Sequence, residues 1–289
     1  MTGAREGWRL RGFELPLHRP RVMGILNVTP DSFSDGGRFR GAEPALARAR
    51  EMLGEGVDII DVGGESTRPG AAPVSADEEL ARVLPVVRAI KAELDGVLVS
   101  IDTRHASVAR AVLREGADIV NDVSALGDPE MARVVADSGA GLVLMHMRGT
   151  PADMQSRAVY RDVAAEVASE LESRLNLALD AAIDPACIVL DPGIGFAKHL
   201  EHNLELIARL DVLGELGYPI VLGASRKAFI GKLLGGVAAD ERDAGTVGAC
   251  VAGLARGARI FRVHEVKAVR HALDVAEAIF QATETAVGR

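Results

Sequence analysis

Eight short apolar runs in this chain each stop on a residue able to hydrogen-bond or carry charge. The stops are Asn27, Asp61, Asp102, Asn121 with Asp122, His146, Asp191, Ser225 with Arg226 and Lys227, and Arg262 with His264. One carboxylate in such a place is usually a helix cap, but so many in equivalent places point to a shared site. Their chemistry divides in two. Asp102, Asn121 and Asp191 suit a flat heterocycle that offers adjacent N–H groups and ring nitrogens. Arg68, Lys227, Arg262 and His264, with the hydroxyls of Thr67 and Ser225, form an anion-binding set. A substrate with a polar heterocycle at one end and phosphate or carboxylate at the other fits both. Asn27 and the carboxylates that follow it, Asp31 and Asp35, could offer oxygen ligands to Mg²⁺, which binds through a few protein groups plus phosphate oxygens. His199 and His202, three apart with no third ligand nearby in sequence, read as a solvated helix face. GASRKAFIGK lacks phosphate-loop spacing.

The elements that must position these groups repeat in a fixed order. RVMGILNVTPDSFSDGG, residues 21–37, opens as a buried strand and breaks at Asn27 into a polar loop. Helical spacing follows at 43–54, then a strand at 57–62, and a helix at 76–94 introduced by the Ser75–Glu78 capping pattern. Further strands lie in VLVSIDT, ADIVNDVS, GLVLMHM, CIVLDPGIGF, PIVLGASRK and ARIFRVHE, with helices at 105–115, 129–138, 157–182, 201–215, 242–256 and 265–280. Strands alternating with helices imply right-handed βαβ units and a parallel sheet. Eight such units favour a closed (β/α)8 TIM barrel, whose functional face is the carboxyl end of the strands. Residues 1–20, with apolar alternation over 8–18, read as an N-terminal extension bearing a hairpin, and residues 21–289 as the barrel domain.

The chain has 289 residues, a length that an α/β barrel uses in one domain. Hydrophobic residues make up 48% but aromatics only 3%, so the core is aliphatic. A net charge of -8 gives no general attraction to nucleic acid or anionic membrane. Cys187 and Cys250 have no motif spacing and read as core thiols in a reducing compartment. With no signal-peptide pattern or membrane-length apolar run, a cytoplasmic location is expected.

Seven segments resemble dihydropteroate synthase: GILNVTPDSFSDGG at 24–37, DVGGESTRPGA at 61–71, SIDT at 100–103, IVNDVS at 119–124, DPGIGFAK at 191–198, GASRK at 223–227 and RVHE at 262–265. They stand in the family's order and span nearly the whole chain. The one departure is Glu265 where the family usually has aspartate. The resemblance implies a TIM barrel that condenses 6-hydroxymethyl-7,8-dihydropterin diphosphate with p-aminobenzoate, a homodimer, and sensitivity to sulfonamides. It implies a pterin site at Asp102, Asn121, Asp191, Lys227, Arg262, Met145 and Phe196. The diphosphate falls to Asn27, Arg68, Arg262 and His264, with Mg²⁺ at Asn27. The p-aminobenzoate site falls to Thr67, Arg68, Pro69, Ser225 and Phe33, and the catalytic roles to Asp102, Lys227, Arg68 and Asp35. Pyrophosphate loss before amine attack is expected, with loops 28–40 and 63–74 closing over the diphosphate. Two rivals are a pterin-dependent methyltransferase domain, which would have no use for the first two loops, and a non-catalytic pterin-binding paralogue.

Overall fold

The computed structural model describes residues 5–29, 42–66 and 73–287. Eight parallel strands close into a barrel: β3 (Arg21–Asn27), β4 (Ile59–Gly63), β5 (Leu98–Asp102), β6 (Ile119–Asp122), β7 (Gly141–Met145), β8 (Ile188–Asp191), β9 (Ile220–Leu222) and β10 (Ala258–Val263). Each pairs with its neighbour in sequence, and β10 returns to β3. A separate antiparallel hairpin, β1 (Gly7–Leu10) and β2 (Phe13–Pro16), precedes them.

Side chains in a strand alternate between faces, and here the alternation sorts the barrel into layers. Val22, Ile60, Val99, Val120, Leu142, Leu190, Leu222 and Phe261 face outward into one large cluster with the helices. Met23, Ile59, Ile119, Val143, Val189, Val221 and Ile260 face inward and meet Trp8, Leu10, Leu15 and Leu17 of the hairpin region. The hairpin therefore plugs the amino-terminal end of the barrel. Trp8 is fully buried, and its indole N–H donates to the Cys187 carbonyl at 2.7 Å. Trp8→Ala should cost about 3–5 kcal/mol, as a large aromatic removed from a closed core. Urea unfolding would measure this, and a loss under about 1 kcal/mol would mean that the hairpin is not part of the cooperative core.

Further along most of the strands, the same inward face turns from apolar to polar. It carries Asn27 after Met23 and Ile25, Asp61 after Ile59, Asp102 after Leu98 and Ser100, Asn121 after Ile119, Asp191 after Val189, and Arg262 after Ile260, whereas β7 ends on the apolar Met145. The fold thus delivers this face to the carboxyl mouth on the strands themselves, and the loops add to it.

The helices run closely with expectation and differ where local chemistry intervenes. The helix begun at Ser75 is α2 (Ala76–Glu93), and the Ser75 hydroxyl accepts the Glu78 amide, as its capping pattern implies. The expected helix at 157–182 starts only at Val163, where Asp162 caps it, and a 3-10 turn occupies Met154–Arg157. The stretch 201–215 is interrupted at Arg209, giving Leu200–Ala208 and Leu210–Gly214. An unexpected short helix, Ala228–Leu233, follows the β9 loop and buries Phe229 and Ile230.

Candidate active site

Arg262 joins three strands at the mouth. Its Nε donates to Asp61 Oδ2 and its Nη2 to Asp102 Oδ2, both at 2.6 Å. Asn121 Nδ2 also donates to Asp61 Oδ2, at 3.1 Å. That bond spends one amide proton and leaves the carbonyl oxygen and the other N–H of Asn121 for a ligand. Burial alone would lower the Arg262 pKa, but the Asp61 and Asp102 carboxylates overcome it and hold the guanidinium above its ordinary range. Burial pushes the Asp102 carboxyl up to about 7, opposed by Arg262 and reinforced by Asp61. Burial likewise raises Asp191, against the Gly193 amide and the Lys227 charge. Asp61 lies one layer deeper than its place at the end of an apolar run suggests: β4 continues past it to Gly63, and it is fully buried.

The opposite wall is built from the turns after β8 and β9. Asp191 Oδ1 accepts the Gly193 amide at 2.7 Å, and Lys227 Nζ lies 3.9 Å from the centroid of the Phe196 ring. Ser225 Oγ accepts the His264 amide at 3.1 Å and contacts His264 Nδ1 at 2.9 Å. With the hydroxyl donating to Nδ1, the ring proton would sit on Nε2, a donor suited to a phosphate oxygen. Met145 and Phe196 share an apolar cluster with Val123 and Met154. Two inward positions are glycine. A Cβ at Gly63 would lie 3.5 Å from Asp102 Cβ and 3.8 Å from Asn27 Oδ1, and one at Gly223 would lie 3.5 Å from Asp191 Oδ2. Their bare backbones keep open the space between these side chains, as a closely approaching ligand requires.

Three residues flagged at run ends do other work. Asp122 faces away from the barrel interior and accepts the amides of Ser124 and Leu126 at 2.8 and 2.7 Å, a turn-capping role. Arg226 adopts φ +57 and pairs with Asp243 at 2.7 and 2.8 Å, so it is not grouped with the anion-binding residues on either side of it. The left-handed turn at Arg226 stands between Ser225, which contacts His264, and Lys227, which lies over Phe196. His146 accepts from Lys198 Nζ at Nδ1 (3.0 Å) and meets Glu170 through Nε2 (2.9 Å). Burial lowers its imidazole to about 4 and lowers the Lys198 ammonium to about 7. Lys198, which also donates to the Phe196 carbonyl at 3.0 Å, was not singled out by its sequence, although it ends the DPGIGFAK stretch. His202 Nδ1 accepts the His199 amide at 3.2 Å, a cap at the start of the helix Leu200–Ala208. Arg68, Thr67, Pro69, Phe33, Asp31 and Asp35, and most of the two loops expected to close, lie outside the described residues.

A closed parallel barrel with buried carboxylates and an amide facing a lysine, an arginine and a histidine across its carboxyl mouth defines the class: a TIM-barrel enzyme whose ligand joins a polar heterocycle to an anion. The model of the pterin-binding enzyme family matches residues 23–264. Dihydropteroate synthase of Synechocystis sp. is 47% identical over 264 residues, covering 91% of each chain. The crystal structure of Yersinia pestis dihydropteroate synthase in a sulfonamide drug complex superposes with a TM-score of 0.89 at 42% identity, covering 95% of this chain and 99% of that one. Xanthomonas albilineans dihydropteroate synthase in complex with 7,8-dihydropteroate gives a TM-score of 0.85 at 42% identity, over 94% and 98% of the two chains. The chain belongs to the pterin-binding enzyme family and, within it, to the dihydropteroate synthases, transferases of folate biosynthesis.

Proposed function

We propose that this chain condenses 6-hydroxymethyl-7,8-dihydropterin diphosphate with p-aminobenzoate, releasing pyrophosphate, and that the groups gathered around Arg262 hold the pterin. The observation that carries this reading is the bridge from Arg262 to Asp61 and Asp102 beside Asn121, opposite Asp191 and Lys227. The carboxylates of Asp102 and Asp191 and the carbonyl of Asn121 accept the N–H groups of the pterin edge. Lys227 donates to its ring acceptors, Met145 and Phe196 cover its apolar face, and the Arg262 plane lies against the ring. Arg262 spends its Nε proton and one Nη2 proton on carboxylates, so contact with the diphosphate falls to Nη1 and the second Nη2 proton. His264 Nε2, Asn27 and Arg68 complete the diphosphate site, and Thr67, Arg68, Pro69, Ser225 and Phe33 border p-aminobenzoate.

Breaking the C–O bond sends its electron pair to the departing pyrophosphate, and the electron-rich pterin delocalises the cation that remains. Buried carboxylates at Asp102 and Asp191 stabilise that cation, while His264, Arg68 and Arg262 stabilise the leaving group. The arylamine then attacks the exocyclic carbon and loses a proton, a step that needs orientation more than a strong base. Asp35 and Arg68 complete the catalytic set with Asp102 and Lys227. Asn27 Oδ1 borders the opening left by Gly63, and one amide oxygen beside a diphosphate fits Mg²⁺, which would add charge neutralisation when bound.

Dihydropteroate formation by the purified protein, with and without Mg²⁺, tests the reading. Asp102→Asn should lower kcat/KM by about 100-fold or more, through loss of cation stabilisation. Near-normal turnover would remove Asp102 from the mechanism, and pterin binding without any turnover by the parent enzyme would favour a non-catalytic role. Because protonated Asp102 loses its acceptor and its charge, kcat/KM should also fall as pH drops below about 7.

A homodimer is part of the same reading. A cavity of about 560 Å³ with Leu204, Ile207, Phe229, Ile230, Leu233 and Leu234 in its walls runs along the outer helices, and Leu204, Leu233 and Leu234 are exposed. Sulfonamide sensitivity follows if these drugs occupy the p-aminobenzoate position. A cytoplasmic location accords with two free, buried thiols and with no helix, among the described residues, long and apolar enough to cross a membrane.

A further inference from the structure

Outside the barrel interior, three side chains converge where β4 leaves the sheet. Glu65 follows β4, Glu79 lies in the first turn of α2, and His105 precedes the helix Ala106–Arg114. One donor atom from each lies within 4.8 Å of the other two. Glu79 is fully buried, and its Oε1 has no hydrogen-bond partner, while Oε2 accepts the Thr103 hydroxyl at 3.0 Å. His105 Nε2 is also a buried atom without a hydrogen bond, 3.9 Å from Glu79 Oε2. Glu65 is held by Arg104 at 2.9 and 3.1 Å and accepts the Val74 amide at 3.0 Å. Arg104 hydrogen-bonds Glu65 and makes no such bond to Glu79. A buried carboxylate with one unpartnered oxygen thus meets a buried, unpartnered imidazole nitrogen, and a cation between the two side chains would satisfy both.

We propose that Glu65, Glu79 and His105 form a divalent-metal site of their own, suited to Zn²⁺ and separate from the Asn27 position. Two carboxylates and an imidazole supply three ligands and leave a fourth position for water, a donor set that suits Zn²⁺ better than the all-oxygen preference of Mg²⁺. Zinc distances of about 2.0–2.2 Å require the three side chains to draw together, with Glu65 exchanging one of its Arg104 bonds for the metal. The site would act on the substrate face indirectly. Glu65 is bonded to the Val74 amide, so a metal here ties together the two ends of the segment that carries Thr67, Arg68 and Pro69.

The test is titration of the substrate-free, metal-stripped enzyme with Zn²⁺ against a chromophoric chelator, followed by thermal melting. It needs no turnover, so it is independent of the proposed reaction. One Zn²⁺ per chain and a raised melting midpoint are expected, with Glu79→Gln and His105→Ala each weakening binding by about 100-fold or more. Circular dichroism of both variants separates a lost site from a lost fold, and since His105 is near the surface, His105→Ala should stay folded if Glu79→Gln does not. The double variant His199→Ala with His202→Ala should bind as the parent does. No stoichiometric binding at micromolar Zn²⁺, binding unchanged in folded His105→Ala, or binding lost in the His199/His202 variant would each overturn the proposal.

Discussion

Arg262→Ala is expected to abolish measurable turnover and to cost about 3–5 kcal/mol of folding stability, the usual result of leaving a buried ion pair without one partner. The stability loss arises because Asp61 and Asp102, at 0 and 9% exposure, both depend on this guanidinium at 2.6 Å. Asp61 is the more exposed to its loss, since Oδ1 already has no partner among the described residues and Oδ2 would keep only Asn121. The catalytic loss has a separate cause: without the fork, the two carboxylates repel, and Asp102 no longer sits ionised where the pterin binds. Arg262→Lys restores a charge but not two divergent N–H bonds, so it should recover part of the stability and little activity. The defect should also depend on pH in a definite sense. Asp102 carries a folded-state pKa raised above its unfolded value, so between about 4 and about 7 the folded protein holds more protons than the unfolded chain. Stability from this group therefore falls as pH rises through that window. Removing Arg262 takes away the effect that opposes the rise, so the variant should be closer to the parent at pH near 5 than at pH near 8. Urea unfolding at both pH values, beside a product assay, measures both parts. Equal destabilisation at the two pH values would show that the carboxylates do not carry the effect.

Much of this architecture was legible because a barrel strand writes its two faces in alternate residues. Val22 and Leu26 against Met23 and Asn27 already distinguish the helix side from the interior, and β3, β5, β6, β8 and β10 each carry a polar residue at their last inward position. Alternation does not report depth, however, and so Asp61 read as an end group although two more residues of β4 lie beyond it. Adjacent polar residues were no easier to separate. Ser225, Arg226 and Lys227 stand together at one run end, and the sequence does not report that Arg226 takes a positive φ and pairs with Asp243. The pairing of Lys198 with His146, 52 residues apart, and the meeting of Glu65, Glu79 and His105 depend on the crossover helices and leave no local pattern. The helix Ala228–Leu233 was available in principle, since Phe229, Ile230 and Leu233 repeat at helical spacing before Gly235 and Gly236.

Gly193→Ala is expected to be among the most damaging single-methyl changes in the molecule, removing pterin binding together with more than about 3 kcal/mol of stability. Gly193 has φ +68, a region that costs an alanine about 1–2 kcal/mol by itself. Contact adds the larger part, because a Cβ here would lie 1.9 Å from the His146 carbonyl oxygen and 3.0 Å from its carbonyl carbon. Both are backbone atoms, and the His146 amide is itself bonded to the Asp191 carbonyl at 2.9 Å, so the obstruction cannot swing aside as a side chain would. Relief must come from moving residue 193, and that undoes the site: the Gly193 amide leaves Asp191 Oδ1, and the Gly193 carbonyl leaves the Phe196 amide that it accepts at 3.0 Å. The ring under Lys227 moves with them. Gly235→Ala is the informative control, since its φ of +80 imposes comparable backbone strain but nothing lies within 4 Å of the added methyl. That variant should lose only about 1–2 kcal/mol and keep pterin affinity. Asp191→Asn supplies the opposite dissociation, with the fold kept and the acceptor charge lost. Pterin affinity by calorimetry and stability by urea unfolding on the three variants separate these causes. If Gly193→Ala behaves like Gly235→Ala, the strand β8 exit is soft enough to absorb a methyl group, and the rigidity assigned to the Asp191 wall is wrong.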